Sequence, residues 1–131
     1  MGATIINLTP HTVNVISPEF LEPVPYNGYK VVNENYACTT YPSQGIARAQ
    51  SEQELVNSIE QPLDIIPVYK VRYGHPEGLP DYEDDVYYIV STLTANAAKA
   101  AGRRTDDLLI PNGMVRDSDG SIIGCTSFAV V

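Results

Sequence analysis

The stretch VYYIVSTLTANAAKAAGRRTDDLLIP, residues 86–111, decides the fold because it predicts a strand, a helix and a second strand in succession. VYYIV is an apolar run typical of a buried strand. Ser91 is a favourable N-cap, and Gly102 suits the position just after a helix. DLLI predicts a returning strand that Pro111 ends. The stretch therefore predicts one principal helix over 91–101, in a crossover connection or against one face of a sheet.

The two ends of the chain predict hairpins. ATIINL (3–8) and TVNVI (12–16) flank a TPH turn, which is the pattern of two strands joined by a short loop. MVRD (114–117) is followed by a turn at 118–120 and by the strand-like run SIIGCTSFAVV. Gly120 is expected to take a positive φ in that tight turn.

The middle of the chain is more varied. Residues 17–45 contain four prolines and two glycines, so they predict loops with one short strand near 31–32. IARA (46–49) and DIIPVYKVRY (64–73) each predict a strand. Residues 51–60 fit either a helix start with a capping box or an alternating strand.

Together these elements predict an α+β fold. We expect a mainly antiparallel β-sheet or small barrel of seven to eight strands, with one principal helix at 91–101. With 131 residues, the chain is expected to form a single domain, 1–131.

Composition argues against several kinds of partner. The chain has eight basic and sixteen acidic residues and a net charge of −8. Duplex nucleic acid is therefore a poor partner, because its phosphates require Lys and Arg. The apolar runs are too short to span a membrane, and the start lacks a secretory signal. Cys38 and Cys125 are expected to be free thiols of a cytosolic protein, and we expect no metal and no cofactor.

Arginines are concentrated near the end of this acidic chain. Arg103, Arg104 and Arg116 lie within fourteen residues of one another, and Arg48 lies far upstream. Arginine binds phosphate and carboxylate groups through paired hydrogen bonds, so we expect these side chains to form an anion site. The alternative is that the C-terminal arginines pair with their acidic neighbours, Asp106, Asp107 and Asp117.

The helix start offers a second anion-binding feature. Ser91 and Thr92 lie where backbone N–H groups are free, and the N-terminus of a helix attracts anions. Asn96, one turn further on, is expected to contact a ribose or a base edge, and Tyr73 to stack on a base. The alternatives are that Ser91 only caps the helix and that Tyr73 only contributes packing.

Familiar catalytic motifs are missing from the sequence. His11 and His75 have no nucleophile at a motif-like spacing, and neither G-x-S-x-G nor H-E-x-x-H occurs. DSDG at 117–120 begins like a calcium loop, but Ile122 stands where that loop requires glycine. We therefore expect a protein that is not an enzyme.

Several segments resemble a functionally uncharacterised family of small proteins of phages and prophages. They include INLTPHTVNV, YYIVSTLTANAAK, RTDDLLIP and VRDSDGSIIGC, and with others they span almost the whole chain. The resemblance implies a phage context and a location in the host cytoplasm, but no reaction. The chain is also similar, circumstantially, to phage proteins that sequester nucleotide-derived immune signals, such as the Thoeris anti-defence proteins. Those proteins commonly assemble as oligomers.

The function expected from these observations is sequestration of an anionic immune signal, related to cyclic ADP-ribose or to a cyclic nucleotide, by a homo-oligomer. The alternative is a protein that inhibits a host protein through the acidic surface DYEDD (81–85). An enzyme such as a phosphodiesterase is disfavoured by the missing motifs. Arginines that converge in a concave pocket favour the ligand, whereas a continuous acidic face with scattered arginines favours the protein partner.

Overall fold

The helix is specified most strongly by its two ends. In the structure, helix α1 spans Thr92–Ala100. The Ser91 hydroxyl accepts a hydrogen bond from the Thr94 N–H at 3.1 Å, so it caps the first turn. Gly102 has a φ of 85° and ends the helix in a left-handed conformation. Both predicted end signals are confirmed.

Strands make up most of the remaining structure. The computed structural model describes residues 2–25, 28–32 and 37–131. Its strands are β1 (Thr4–Asn7), β2 (Val13–Ile16), β3 (Leu21–Pro23), β4 (Tyr29–Val31), β5 (Cys38–Tyr41), β6 (Ser51–Gln61), β7 (Asp64–Tyr73), β8 (Val86–Ile89), β9 (Leu108–Arg116) and β10 (Ile122–Ala129). A single 3₁₀ turn, Pro18–Phe20, precedes β3 within these ranges. Residues 26, 27 and 33–36 of the predicted loop segment lie outside the described residues.

Eight of the described strands form one mixed sheet. Its main path is β1-β8-β9-β10-β2-β5, and β3 and β4 join it through β9. The pairings β1–β8, β8–β9, β4–β9 and β10–β2 are parallel, so the large sheet is mixed in direction. Helix α1 forms the crossover between the parallel strands β8 and β9. The predicted α+β class with one principal helix is confirmed.

The large sheet curls back on itself. An isolated parallel bridge joins Asn7, at the end of β1, to Ser43, just after β5. The Gln44 N–H also donates to the Asn7 carbonyl at 2.9 Å. Helix α1 covers the interior with an alanine-rich face. The central cluster of buried side chains comprises Leu8, Ala47, Tyr88, Val90, Ala95, Ala98 and Leu108.

Two local predictions were wrong because strands pair with distant partners. Strand β2 does not form a hairpin with β1; it pairs with β5 and β10 instead. Residues 46–49 are not a strand, and only Arg48 forms a single bridge, to Glu77. One of their apolar side chains, Ala47, is buried in the core.

Strand β9 passes through Pro111, which was expected to end it. Pairing with β8 stops at Leu109, and pairing with β4 begins at Val115. Pro111 falls in the gap between those two neighbours, so its missing N–H interrupts no ladder on that side. Strand β9 then leads into β10 through the predicted hairpin, where Gly120 has the expected positive φ of 82°.

Strands β6 and β7 form a separate two-stranded hairpin. Strand β7 has the predicted bounds, and β6 resolves the ambiguity at 51–60 in favour of a strand. Every residue of β6 is exposed, and in β7 only Val68 is partly buried. We call this hairpin, residues 51–73, the arm.

Candidate functional site

A cavity of about 770 Å³ opens beside the first turn of α1. Its walls come from residues 8–10 after β1, residues 46–50 before the arm, residues 74, 75 and 77 after the arm, and Ser91 and Thr94 of the helix start. Pockets for small ligands typically enclose about 300–1,000 Å³. The cavity therefore has room for a molecule of nucleotide size. We call it the helix-start cavity.

A buried asparagine fixes one wall of this cavity. The Asn7 amide nitrogen donates to the carbonyls of His11 and Tyr41 at 2.7 and 2.8 Å. Its side-chain oxygen accepts from the N–H and the hydroxyl of Thr9 at 2.9 and 2.7 Å. Both amide donors and the acceptor are thus used in a fully buried position. The NLTPH segment is therefore held rigidly at the rim, with Leu8, Thr9 and Pro10 lining the cavity.

Backbone pairing between distant segments forms another wall. The Arg48 N–H donates to the Glu77 carbonyl at 2.8 Å, and the Glu77 N–H donates back at 2.7 Å. The Gly74 N–H donates to the Gln50 carbonyl at 2.7 Å and closes the base of the arm. These bonds bring the polar residues Arg48, Gln50, His75 and Glu77 to one cavity.

The helix start is tied to the same wall. The Thr94 hydroxyl, in a buried residue, donates to the Ala47 carbonyl at 3.4 Å. The Ser91 hydroxyl donates to Thr94 Oγ1 at 3.0 Å while it caps the helix. The first turn of a helix has N–H groups without an earlier carbonyl to bind, so the Ser91 edge of the cavity carries a partial positive charge.

Arg48 differs from the other arginines. Its side chain is exposed, and within residues 2–25, 28–32 and 37–131 it forms neither an ion pair nor a side-chain hydrogen bond. The other four arginines all have partners: Arg72 with Glu54, Arg103 with Asp107, Arg104 with Asp106 and Arg116 with the Gly120 carbonyl. Arg48 is therefore the arginine that a ligand can engage without breaking an existing contact.

The C-terminal arginines do not converge on the helix start, contrary to the prediction. Arg103 and Arg104 follow the opposite end of α1, and a nine-residue helix is about 14 Å long. Arg116 is the last residue of β9. It lies seven residues beyond Leu109, which pairs with β8, and seven residues span about 23 Å along a strand.

The contacts of Arg103 and Arg104 follow the alternative in which each arginine pairs with a neighbouring aspartate, whereas Arg116 binds a backbone carbonyl instead of Asp117. Arg104 forms two hydrogen bonds to Asp106, at 2.6 and 2.7 Å, and these lower the pKa of the Asp106 carboxyl. The Arg104 guanidinium also lies 3.8 Å from the centre of the Tyr82 ring. Arg116 donates to the Gly120 carbonyl at 2.8 Å and so braces the terminal hairpin.

Of the remaining predicted residues, Ser91 lines the cavity. Tyr73 directly precedes the lining residue Gly74 but does not itself line the cavity. Thr92 is exposed and Asn96 is half-buried, and neither is a lining residue. Of the eight predicted ligand-binding residues, the structure places Arg48 and Ser91 in one site.

Sequence reasoning missed most of the polar lining. Thr9, Gln50 and Glu77 received no role, and His75 was considered only as an acid–base group. Glu77 carries no local signal, because it meets Arg48 only through pairing between the segments that flank the arm, and Gln50 is held by the bond from the Gly74 N–H. Thr9 had a signal in the NLTPH segment, whose polar residues lie between two strands.

A second cavity, of about 400 Å³, lies between β2 and the terminal hairpin. Its lining includes His11, Asn14 and Cys125 but no Lys, Arg, Asp or Glu. It therefore lacks the charge that an anionic ligand requires. The part of the chain that the structure describes also contains no cluster of three or more His, Cys, Asp or Glu side chains suited to a metal ion.

The described residues contain no helix that is long and apolar enough to cross a membrane. Comparisons of the chain with protein-family models, with curated proteins and with solved structures find no match.

Proposed function

We propose that the protein binds a small anionic, nucleotide-like molecule in the helix-start cavity. The observation that carries this proposal is Arg48, which lines the cavity and has no side-chain partner in the described part of the chain. Guanidinium groups bind phosphate through two parallel hydrogen bonds. The first turn of α1 places the positive end of the helix dipole at the Ser91 edge, where the N–H of the lining residue Thr94 is already bonded to the Ser91 hydroxyl.

The other lining residues favour a ligand with sugar-like hydroxyl groups as well as an anion. Glu77 would repel a phosphate beside it, but its carboxylate can accept hydrogen bonds from ribose hydroxyls, as acidic residues do in dinucleotide sites. Gln50 can donate and accept at a base edge. Leu8, Pro10 and Ile46 supply an apolar surface for the plane of a base.

We further propose that this is a phage protein that sequesters a nucleotide-derived immune signal. It would bind the signal in the host cytoplasm and release it slowly. Support for this extension comes from the sequence resemblance, from the absence of familiar catalytic motifs and from a cavity of suitable size. A cyclic ADP-ribose relative or a cyclic nucleotide has the combination of phosphate, ribose and base that the lining side chains complement.

Native mass spectrometry combined with thermal shift tests the binding proposal. Protein purified from infected and from uninfected cells is measured for a co-bound small mass, and then stripped protein is screened against nucleotides, cyclic nucleotides and cyclic ADP-ribose analogues. We expect at least one compound to raise the melting temperature, because a ligand that binds only the folded state stabilises it. No co-bound mass and no shift with any compound at millimolar concentration would contradict the proposal.

Inhibition of a host protein is the second candidate, and the acidic loop favours it. All five side chains of 81–85 are exposed, and in the described ranges their four carboxylates form no ion pair. The scattered arginines also fit this alternative better than the ligand. It predicts that Asp84→Asn with Asp85→Asn abolishes the anti-defence activity while Arg48→Ala does not; the ligand proposal predicts the reverse.

A further inference from the structure

The arm has two chemically different faces. Side chains alternate along a strand, so the odd-numbered residues of β7 share one face and the even-numbered residues share the other. The register places Leu55 opposite Tyr69 on the odd face. The ion pair between Arg72 and Glu54, at 2.6 Å, belongs to the even face.

The odd face has more apolar side chains than the even face, and the even face carries all but one of the arm's charges. The apolar side chains of the odd face are Leu55, Ile65, Pro67, Tyr69, Val71 and Tyr73. Glu60, near the tip, is the charged residue on this face. The even face carries the charged residues Glu52, Glu54, Asp64, Lys70 and Arg72, together with the apolar Ile59, Ile66 and Val68. The odd face, with six apolar side chains and one charge, is therefore the better suited of the two to burial against a partner.

No described segment of the chain covers the odd face. Leu55 is 57 % exposed and Tyr69 is 49 % exposed, and Leu63 at the tip is completely exposed. A single two-stranded hairpin is at best marginally stable in water, and this one extends for ten residue pairs. The arm therefore needs a partner to keep its observed conformation.

We infer that the odd face of the arm packs against a second copy of this chain. A partner needed for the conformation of the arm must be present whenever the protein is folded, and a second copy meets that condition. The exposed apolar area of the odd face is also large enough for an interface between two copies. Half-exposed large side chains each offer about 100 Å², so six of them offer roughly 600 Å² per copy. Two copies then bury roughly 1,200 Å², the lower bound of stable interfaces.

The distribution of charge on the chain also favours a second copy as the partner of the odd face. Each chain has a net charge of −8, so two copies repel one another over most of their surfaces. The odd face has a single carboxylate, so it is a region where two copies can meet with little repulsion. A basic partner, which the net charge would attract, finds almost no charge to pair with there.

The arm also begins at the rim of the helix-start cavity. Gln50 directly precedes β6, and Gly74 and His75 directly follow β7, and all three line the cavity. A second copy seated near Tyr73 and Val71 therefore lies next to that cavity. This inference specifies the assembly expected for the proposed function, but its physical basis is the arm and not the ligand.

Sedimentation velocity at micromolar concentration and physiological salt tests the inference. We expect the wild-type protein to sediment at twice its mass of 14.3 kDa or more. The double substitution Tyr69→Ser with Val71→Ser should give a folded monomer, verified by circular dichroism. Its matched control, Lys70→Ser with Arg72→Ser, changes adjacent positions on the opposite face and should remain assembled, although it makes the chain more acidic.

Several results would overturn the inference: a monomeric wild-type protein, an odd-face variant that is folded and still assembled, or equal dissociation of both double variants. If the odd-face variant unfolds, replacing 53–71 by an Asn-Gly turn gives a second test. None of the central core side chains belongs to the arm, so this variant should fold as a monomer.

Arg48→Ala should remain assembled. Nucleotide binding by a monomer would contradict this inference alone, and assembly without nucleotide binding would contradict the proposed function alone.

Discussion

Arg103 donates hydrogen bonds from both terminal nitrogens to the carboxylate of Asp107, at 2.8 and 3.0 Å. The Asp107 side chain is 1 % exposed and that of Arg103 is 17 % exposed. Arg103 also donates to the carbonyls of Arg104 and Pro80, so it ties the end of α1 to the loop before β8. An arginine that the sequence offered as a ligand contact is therefore a structural element of the fold.

Arg103→Ala should destabilise the protein strongly. The substitution leaves the Asp107 carboxylate buried without its cation, and breaking a buried ion pair in this way typically costs about 3–5 kcal/mol. Arg104→Ala is the control, because the Arg104–Asp106 pair is more than half exposed and should leave the denaturation midpoint almost unchanged. Chemical denaturation measures both variants. Equal stability of the two would contradict a structural role for Arg103.

Asn7→Asp should also destabilise the fold, although it changes only the amide. A carboxylate at this position has no N–H to donate and would face the carbonyls of His11 and Tyr41 in a buried site. We expect a loss of about 2–4 kcal/mol at neutral pH from the unmet hydrogen bonds and the buried charge.

The pH dependence distinguishes this explanation from a general loss of packing. Burial raises the pKa of the introduced carboxyl in the folded state above its unfolded value, so the folded state binds the proton more tightly. The deficit in the free energy of unfolding should therefore shrink as the pH falls from 7 towards 4. Asn112→Asp, at an exposed asparagine, should show neither the loss nor this dependence. A deficit that stays constant with pH would contradict the proposed role of Asn7.

The two cysteines should differ sharply in reactivity. Both are free; Cys38 is exposed, whereas Cys125 is 1 % exposed in β10, and burial raises the pKa of its thiol. The thiolate is the reactive form, so a raised pKa and burial both slow modification. An aromatic disulfide reagent at pH 8 should titrate one thiol in the native protein and two in denaturant. Two fast-reacting thiols in the native protein would contradict the packing of β10.

The local signals predicted the helix and strand β7 well, but they left 51–60 open between a helix start and a strand. Ser91 and Gly102 mark the ends of α1 by chemistry that acts within one turn, and 64–73 carries a strand pattern over its full length. The pairing of β2 with β5 and β10 was not predictable in this way, because nothing within the TVNVI run distinguishes a hairpin partner from a distant strand. Pro111 was misassigned for the same reason, since its effect depends on which neighbours flank β9.

The candidate site was predicted only in part, and the reason is again topological. Arg48 and Ser91 were identified because arginine and a helix start each attract anions. The clustering of Arg103, Arg104 and Arg116 in sequence did not predict clustering in space, because α1 and β9 carry them away from the helix start. Each of them also has a hydrogen-bond acceptor within four residues along the chain, and in the structure each arginine binds that local acceptor.

Isothermal titration calorimetry of Arg48→Ala tests the central claim most directly. The titrant is the nucleotide or cyclic ADP-ribose analogue that binds the wild-type protein, and Arg104→Ala is the matched control. Removing a charged hydrogen-bonded contact costs about 2–5 kcal/mol, which weakens binding by more than about tenfold. We predict that Arg48→Ala raises Kd by at least that factor while its melting temperature is unchanged, and that Arg104→Ala binds like the wild type. Wild-type affinity in Arg48→Ala would contradict the account.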